Sequence, residues 1–177
     1  MNPADRALSF ERLVTAIGHA HAELAAQASR AINTSLSLRN WLIGFHIEVY
    51  ERHGVDRQQY GEKLLDRLAV SLEKSGVSRC DRRELYRYRQ FYLAYPQIQA
   101  ALPPQLASTL EGAVLVQTDR GQIVETVSPQ SQVDGQPLLA RLSFSHFTEL
   151  TAIEDDSKRA FYEAECLRGS WSVRQLR

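Results

Sequence analysis

Asp81-Arg82-Arg83-Glu84-Leu85-Tyr86-Arg87-Tyr88-Arg89-Gln90-Phe91-Tyr92 is the stretch on which the fold turns. Asp81 followed three residues later by Glu84 has the form of a capping box with an acidic cap. Leu85, Tyr88 and Tyr92 then recur at helical spacing as an apolar stripe, and Pro96 marks the end. Just upstream, Gln58 to Lys74 carries Tyr60, Leu64, Leu65, Leu68, Ala69 and Leu72 on one side. That segment stops at Ser75-Gly76, where glycine supplies the left-handed residue that closes a helix. The pattern from Gln58 to Tyr95 is therefore helix, glycine turn, helix.

The second of these helices is rich in arginine. Arg79, Arg82, Arg83, Arg87 and Arg89 place five guanidinium groups in eleven residues. At about 100° per residue Arg82 falls close to Arg89 and Arg83 close to Arg87, leaving the apolar stripe to pack. A recognition helix needs this arrangement, because apolar anchors hold it while arginine forks reach phosphates or guanine edges. Tyr86 adds a phosphate hydrogen bond, and Lys63 and Lys74 are flanking phosphate contacts. The competing interpretation is a solvated face whose arginines pair with Glu84, Glu62 and Asp66. Glu84 would repel phosphate unless the cap engages it.

Charge distribution favours the same segment. Over the whole chain 21 Lys+Arg balance 21 Asp+Glu, so net charge says nothing about an acidic partner. From Gln59 to Tyr95 eight basic residues face five acids, a local +3, while Pro96 to Ala140 has one Arg against four acids, a local −3.

Downstream the texture changes. Pro103 to Pro137 is rich in Gln, Ser, Thr, Gly and Pro and should be mostly loop. Within it, Ala113 to Gln117 and Gln122 to Val127 have the look of two short strands, with Asp119-Arg120-Gly121 as a hairpin turn. Such a hairpin could act as a wing, and needs a helix to lean on.

Upstream, Ser9 to His53 repeats Leu13, Val14, Ile17, Leu24, Ala25, Ala28 and Ile32, then Leu38, Trp41, Leu42, Phe45 and Val49, at steps of three and four. Asn33-Thr34-Ser35 could interrupt it, so one long helix or two in line are both open, with Gly54 as the C-cap. Period alone makes this stripe a packing hairpin or a dimer seam. At the other end Ser145 can cap a helix carrying Phe147, Leu150 and Ile153. Asp155 or Asp156 can cap another carrying Phe161, Tyr162 and Cys166 and ending at Gly169. A last helix begins at Ser170-Trp171-Ser172 and is cut short, which suggests a polypeptide that continues.

Catalytic chemistry finds little support. His19 and His21 sit two apart and cannot share a helix face, and His46 and His53 lack an evident carboxylate partner. Glu154-Asp155-Asp156 needs no metal as the acidic start of a helix. There is no Gly-rich phosphate loop, serine elbow or Cys-His pair. No metal or cofactor is expected. Cys80 and Cys166 show no paired spacing and suit a reducing compartment, Cys166 as core. Neither a signal peptide nor a run of about 18 apolar residues is present, so the cytoplasm is the expected location and a membrane is not an expected partner.

Three blocks resemble the N-terminal domain of the YhcG family, domain of unknown function 1016. They are Asn40-Trp41-Leu42-Ile43-Gly44 through Glu51; Tyr60-Gly61-Glu62 through Leu68 to Arg89-Gln90-Phe91-Tyr92-Leu93-Ala94-Tyr95-Pro96; and Leu142-Ser143-Phe144-Ser145-His146-Phe147 through Arg159-Ala160-Phe161-Tyr162-Glu163 to Trp171-Ser172-Val173-Arg174-Gln175-Leu176. The resemblance implies a helical region that precedes a nuclease domain of the PDDEXK type, whose acidic motifs would lie beyond Arg177. Where the family has a Gly-Phe-Ser turn and then Asn, this chain has Arg79-Cys80-Asp81 and Glu84, so base reading from that position would be lost or retargeted.

The expectation is an all-α chain with a winged helix-turn-helix-like element and one small β-hairpin. Residues 1–57 would form a long N-terminal helix or hairpin for packing or oligomerisation, 58–140 the helix-turn-helix with its insertion, and 141–177 helices leading to the nuclease domain. The function expected is non-catalytic binding of double-stranded DNA to position that domain. The rival is a protein-interaction module, a homodimer through the N-terminal helix among its forms. His146 and Arg174 are explained as well by packing or capping.

Overall fold

A computed structural model describes residues 9–56, 58, 61–115 and 135–177. The described chain is all-α, with eight α-helices: α1 (Phe10–His53), α2 (Leu64–Lys74), α3 (Arg82–Ala94), α4 (Pro104–Leu115), α5 (Gly135–Arg141), α6 (Phe144–Thr151), α7 (Asp156–Gly169) and α8 (Val173–Leu176). Short 3₁₀ segments cover Gly61–Lys63 and Pro96–Ala101.

Local signals set most boundaries. Ser9 caps α1 by accepting the Arg12 N–H, and α1 then runs unbroken through Asn33-Thr34-Ser35 as one helix. Gly54 does follow its last residue, but with φ of −58°, so no left-handed cap is involved. A Cβ there would lie 2.6 Å from the Tyr50 carbonyl oxygen, which explains the glycine sterically. Gly76, at φ +76°, is the left-handed residue expected after α2. Val77 N–H bonds to Leu72 O at 2.9 Å and Gly76 N–H to Glu73 O at 3.0 Å, the two bonds of a Schellman motif.

The core gathers on the C-terminal half of α1. Trp41 is fully buried, donates its indole N–H to the Tyr95 carbonyl at 2.9 Å, and meets Tyr92 edge-on. Phe91 and Tyr95 pack with Phe147, joined by Leu138, Leu139 and Leu142 around α5. Gly44 lets α1 and α3 cross in contact, since a Cβ there would meet the Tyr88 carbonyl oxygen at 2.1 Å. A smaller cluster of Ile47, Cys80, Leu85 and Tyr88 seats α2, which has no fully buried residue of its own; Leu64, Leu65, Leu68, Ala69 and Leu72 are half-buried.

Several expectations are corrected. Pro104–Leu115, within the segment expected to be mostly loop, is helical, and the last three residues of that segment open the helix Gly135–Arg141. Pro104 opens α4, where a missing N–H costs nothing, and buried Leu110 ties it to the core, so packing overrides a polar composition. Ala113, Val114 and Leu115, read as the start of a strand, close α4. The rest of the proposed hairpin, Val116-Gln117, Asp119-Arg120-Gly121 and Gln122 to Val127, lies outside the described residues, and no strand occurs among those described. The cap of α6 is Ser143, two residues before the expected Ser145; Ser143 N–H donates to His146 Nδ1 at 3.2 Å. Asp155 caps α7, as one of the two alternatives had it. Cys166 is buried, but Phe161 and Tyr162, grouped with it, are exposed. The helix α7 ends at Gly169, as expected, and Ser170 takes the left-handed position after it at φ +49°. Among the described residues no helix is long and apolar enough to cross a membrane.

Candidate nucleic-acid interface

The corner between α2 and α3 is a seven-residue connection, Ser75 to Asp81, longer than the usual three or four of a helix-turn-helix. It is held from below. Arg39 on α1 donates to Ser78 O at 2.6 Å and to Cys80 Sγ at 3.3 Å, while Tyr88 Oη donates to Arg79 O at 2.6 Å. These bonds hold Arg79 at φ +56°, a conformation that a non-glycine residue adopts at some cost. Burial, with the Glu84 carboxylate nearby, pushes the Tyr88 phenol up from its ordinary value, so it stays a neutral donor. Arg39 was missed from sequence, and its place one residue before Asn40-Trp41 is the only signal that could have found it.

Asp81 caps α3 by accepting N–H bonds from Arg83 at 2.9 Å and Glu84 at 3.0 Å. Those amides are therefore not open to a phosphate. Glu84 does not complete the capping box. Its carboxylate instead takes Arg87 Nη1 at 2.6 Å.

The five arginines do not form one solvent-facing cluster, and this corrects the geometry drawn from helical spacing. Arg89 turns inward to α1, with Nε 2.9 Å from Glu48 and Nη2 2.6 Å from Glu51. Glu48 is 6% exposed and also binds Arg52 at 2.7 Å. Burial alone would raise the Glu48 carboxyl, but the Arg89 and Arg52 guanidinium groups outweigh it and hold the carboxyl below its ordinary range. Arg82 leans on Asp66 of α2 at 3.3 Å, both side chains more than half exposed. Although Arg82 and Arg89 share an angular position, two turns of rise send one to α2 and the other to α1.

What remains outward is a ridge along α3. Arg82, Arg83, Tyr86 and Leu93 are exposed, with Gln90 half-buried between the last two. These positions lie within about 100° of one another around the helix. Arg79 sits at the head of the ridge in the turn, and the side chains of Arg79 and Arg83 make no ion pair with any described residue. Lys74 is exposed at the near end of α2; Lys63 is exposed at its far end, about 16 Å away. Gln90 and Leu93 were not singled out from sequence.

Beside the ridge, a cleft of about 440 Å³ between α3 and α6 mixes Arg79, Arg87 and Arg177 with Asp81, Glu84 and Glu149. Its balanced charge does not make an anion pocket. Among the described residues no group of three His, Cys, Asp or Glu could hold a metal ion. Asp155 is engaged as a cap and Asp156 with Arg159, and His146 Nε2 meets the Trp171 carbonyl at 3.0 Å, a structural role.

Residues 16–117, more than half of the chain, match a family described as the DUF1016 N-terminal domain. A protein of Escherichia coli (strain K12) named "Putative nuclease YhcG" is 27% identical over 173 residues. The match covers 94% of this chain and 43% of that protein, so the chain spans less than half the length of its curated relative. No solved structure matches.

Proposed function

Because the chain belongs to the DUF1016 N-terminal domain family, we propose that it is a non-catalytic module that binds double-stranded DNA and holds a nuclease domain on it. The observation that carries this is the exposed ridge of α3, Arg82, Arg83 and Tyr86, headed by Arg79 in the turn. Guanidinium forks suit phosphates and guanine edges, and the phenol adds a phosphate contact. Lys74 extends the basic rim. Arg82 can exchange Asp66 for a phosphate because so exposed a pair contributes about 0–1 kcal/mol. Arg87 is a secondary contact, and Arg89 belongs to the scaffold. The second helix of the pair, α3, is the element that meets the duplex.

The name of the E. coli relative and the span it covers support a following nuclease domain in the whole protein. The setting would be cytoplasmic, and the two buried free cysteines suit its reducing conditions.

The test is anisotropy of a labelled duplex at several salt concentrations. Four cationic contacts, from Arg79, Arg82, Arg83 and Lys74, predict a log–log slope of about −3.6. Replacing Arg79, Arg82 and Arg83 together with Ala should flatten it to about −1. Absence of binding at 50 mM salt, or a slope that the triple variant leaves unchanged, would remove the proposal.

A further inference from the structure

The N-terminal half of α1 stands away from the other described residues. Among the hydrogen bonds between described residues, the first to tie it to the body is Thr34 Oγ1 to Leu139 O at 3.2 Å. Residues 10–33 therefore extend roughly 36 Å beyond it. Along this arm Phe10, Val14, Ile17, Leu24 and Ile32 are all more than half exposed, Phe10 at 80%. Scattered exposed apolar residues need no explanation, but a continuous helical stripe does.

The stripe does not belong to the body's core. Eighteen residues make about five helical turns, so residues eighteen apart share a line along α1. Extended forward, the apolar line through Phe10 and Ala28 reaches exposed His46, and that through Ile17 reaches Ser35 and exposed His53. Extended backward, the core line of Trp41 and Glu48 meets Glu23 and Arg30. The lines through Phe10 and Ile17 therefore run on to exposed positions of α1, while those through Leu24 and His21 run on to Leu42 and Arg39, which meet the body.

Its chemistry narrows the occupant. From Phe10 to Leu36 the charges are Glu11 and Glu23 against Arg12 and Arg30, a net of zero, which suits neither phosphate nor an anionic lipid surface. The stripe is also complementary to itself. About His21 as centre, Ile17 mirrors Ala25, Gly18 mirrors Leu24, Val14 mirrors Ala28, and Phe10 mirrors Ile32. In each of the inner pairs a large side chain faces a small one, which is what close packing of two helices requires. Burying the exposed parts of these side chains would remove roughly 700–800 Å² per chain, the area of a standard specific interface.

We propose that the arm, residues 10–36, pairs antiparallel with the same arm of a second copy of this chain, the two-fold axis passing at His21. With the axis at His21 the two bodies lie at opposite ends of the paired arms. This pairing is independent of the DNA-binding proposal, and each can fail alone.

Cysteine crosslinking tests it on the 177-residue chain, whose native Cys80 and Cys166 are both buried. His21→Cys should form an intermolecular disulfide under mild oxidation. Phe10→Cys should not, because its mate would lie about 33 Å away along the pair. Sedimentation should show twice the chain mass, and Ile17→Asp with Leu24→Asp should raise the dimer dissociation constant at least ~100-fold with helicity unchanged. A monomer at about 100 µM, a double variant that still dimerises equally well, or equal crosslinking by Phe10→Cys and His21→Cys would overturn it.

Discussion

Arg89 reaches from α3 to within 2.9 Å of Glu48 on α1, and the two close a charge network that Arg52 and Glu51 complete. The carboxylate is nearly out of water, so its charge is tolerated only while both guanidinium groups face it. The contact converts what sequence presents as a DNA-facing arginine into a brace between two helices.

Arg89→Ala should therefore act on stability. Leaving Glu48 buried with one partner fewer should cost about 3 kcal/mol in urea unfolding. The salt slope of DNA binding, measured where the variant is still folded, should stay within about 0.3 of the parent. Arg83→Ala should do the reverse, with unfolding within about 0.5 kcal/mol and the slope shallower by about 0.9.

The same network makes stability depend on acid. Glu48 is held below its ordinary value of 4.5, so in the folded chain it keeps its charge where the unfolded chain has begun to bind the proton. Its stabilisation is present above that ordinary value and is lost as pH falls through the lower folded one. Urea unfolding of Glu48→Gln and the parent should differ most near pH 7 and converge below pH 4.5.

Gly44 predicts a steric effect. A methyl group there would lie 2.1 Å from the Tyr88 carbonyl oxygen, which is backbone and cannot rotate aside. Gly44→Ala should destabilise the chain by about 3 kcal/mol, although alanine is the better helix former. Gly18→Ala, with no atom within 4 Å of the added carbon in the single chain, should not destabilise the monomer.

Asp81→Ala should lose the α3 cap and lower stability by about 1 kcal/mol, with Asp81→Asn recovering most of it. Since the carboxylate stands beside Arg83, Asp81→Asn should also strengthen DNA binding at low salt. Thermal unfolding and anisotropy on the same samples check both parts.

The helices of this chain are legible wherever their signals are local. Asp81 before Arg82, Gly76 after α2, Pro96 after α3 and Ser9 before α1 each act within about five residues, so sequence alone determines those starts and stops. Leu85 and Tyr88 of the apolar stripe, and Trp41 and Phe45 on α1, are likewise buried as their spacing requires. The resemblance in the three blocks led to the right family.

Two things only the tertiary structure decided. Which arginines stay free depends on acids far along the chain, Glu48 being 41 residues from Arg89, and angular spacing on one helix carries no information about them. Whether an amphipathic face is covered depends on what the rest of the chain brings to it. The stripes before and after Thr34 look alike in sequence, yet the later one enters the core and the earlier one faces water. Periodicity records that a helix has an apolar side, while burial is a property of two surfaces, and the second surface is not written in the first.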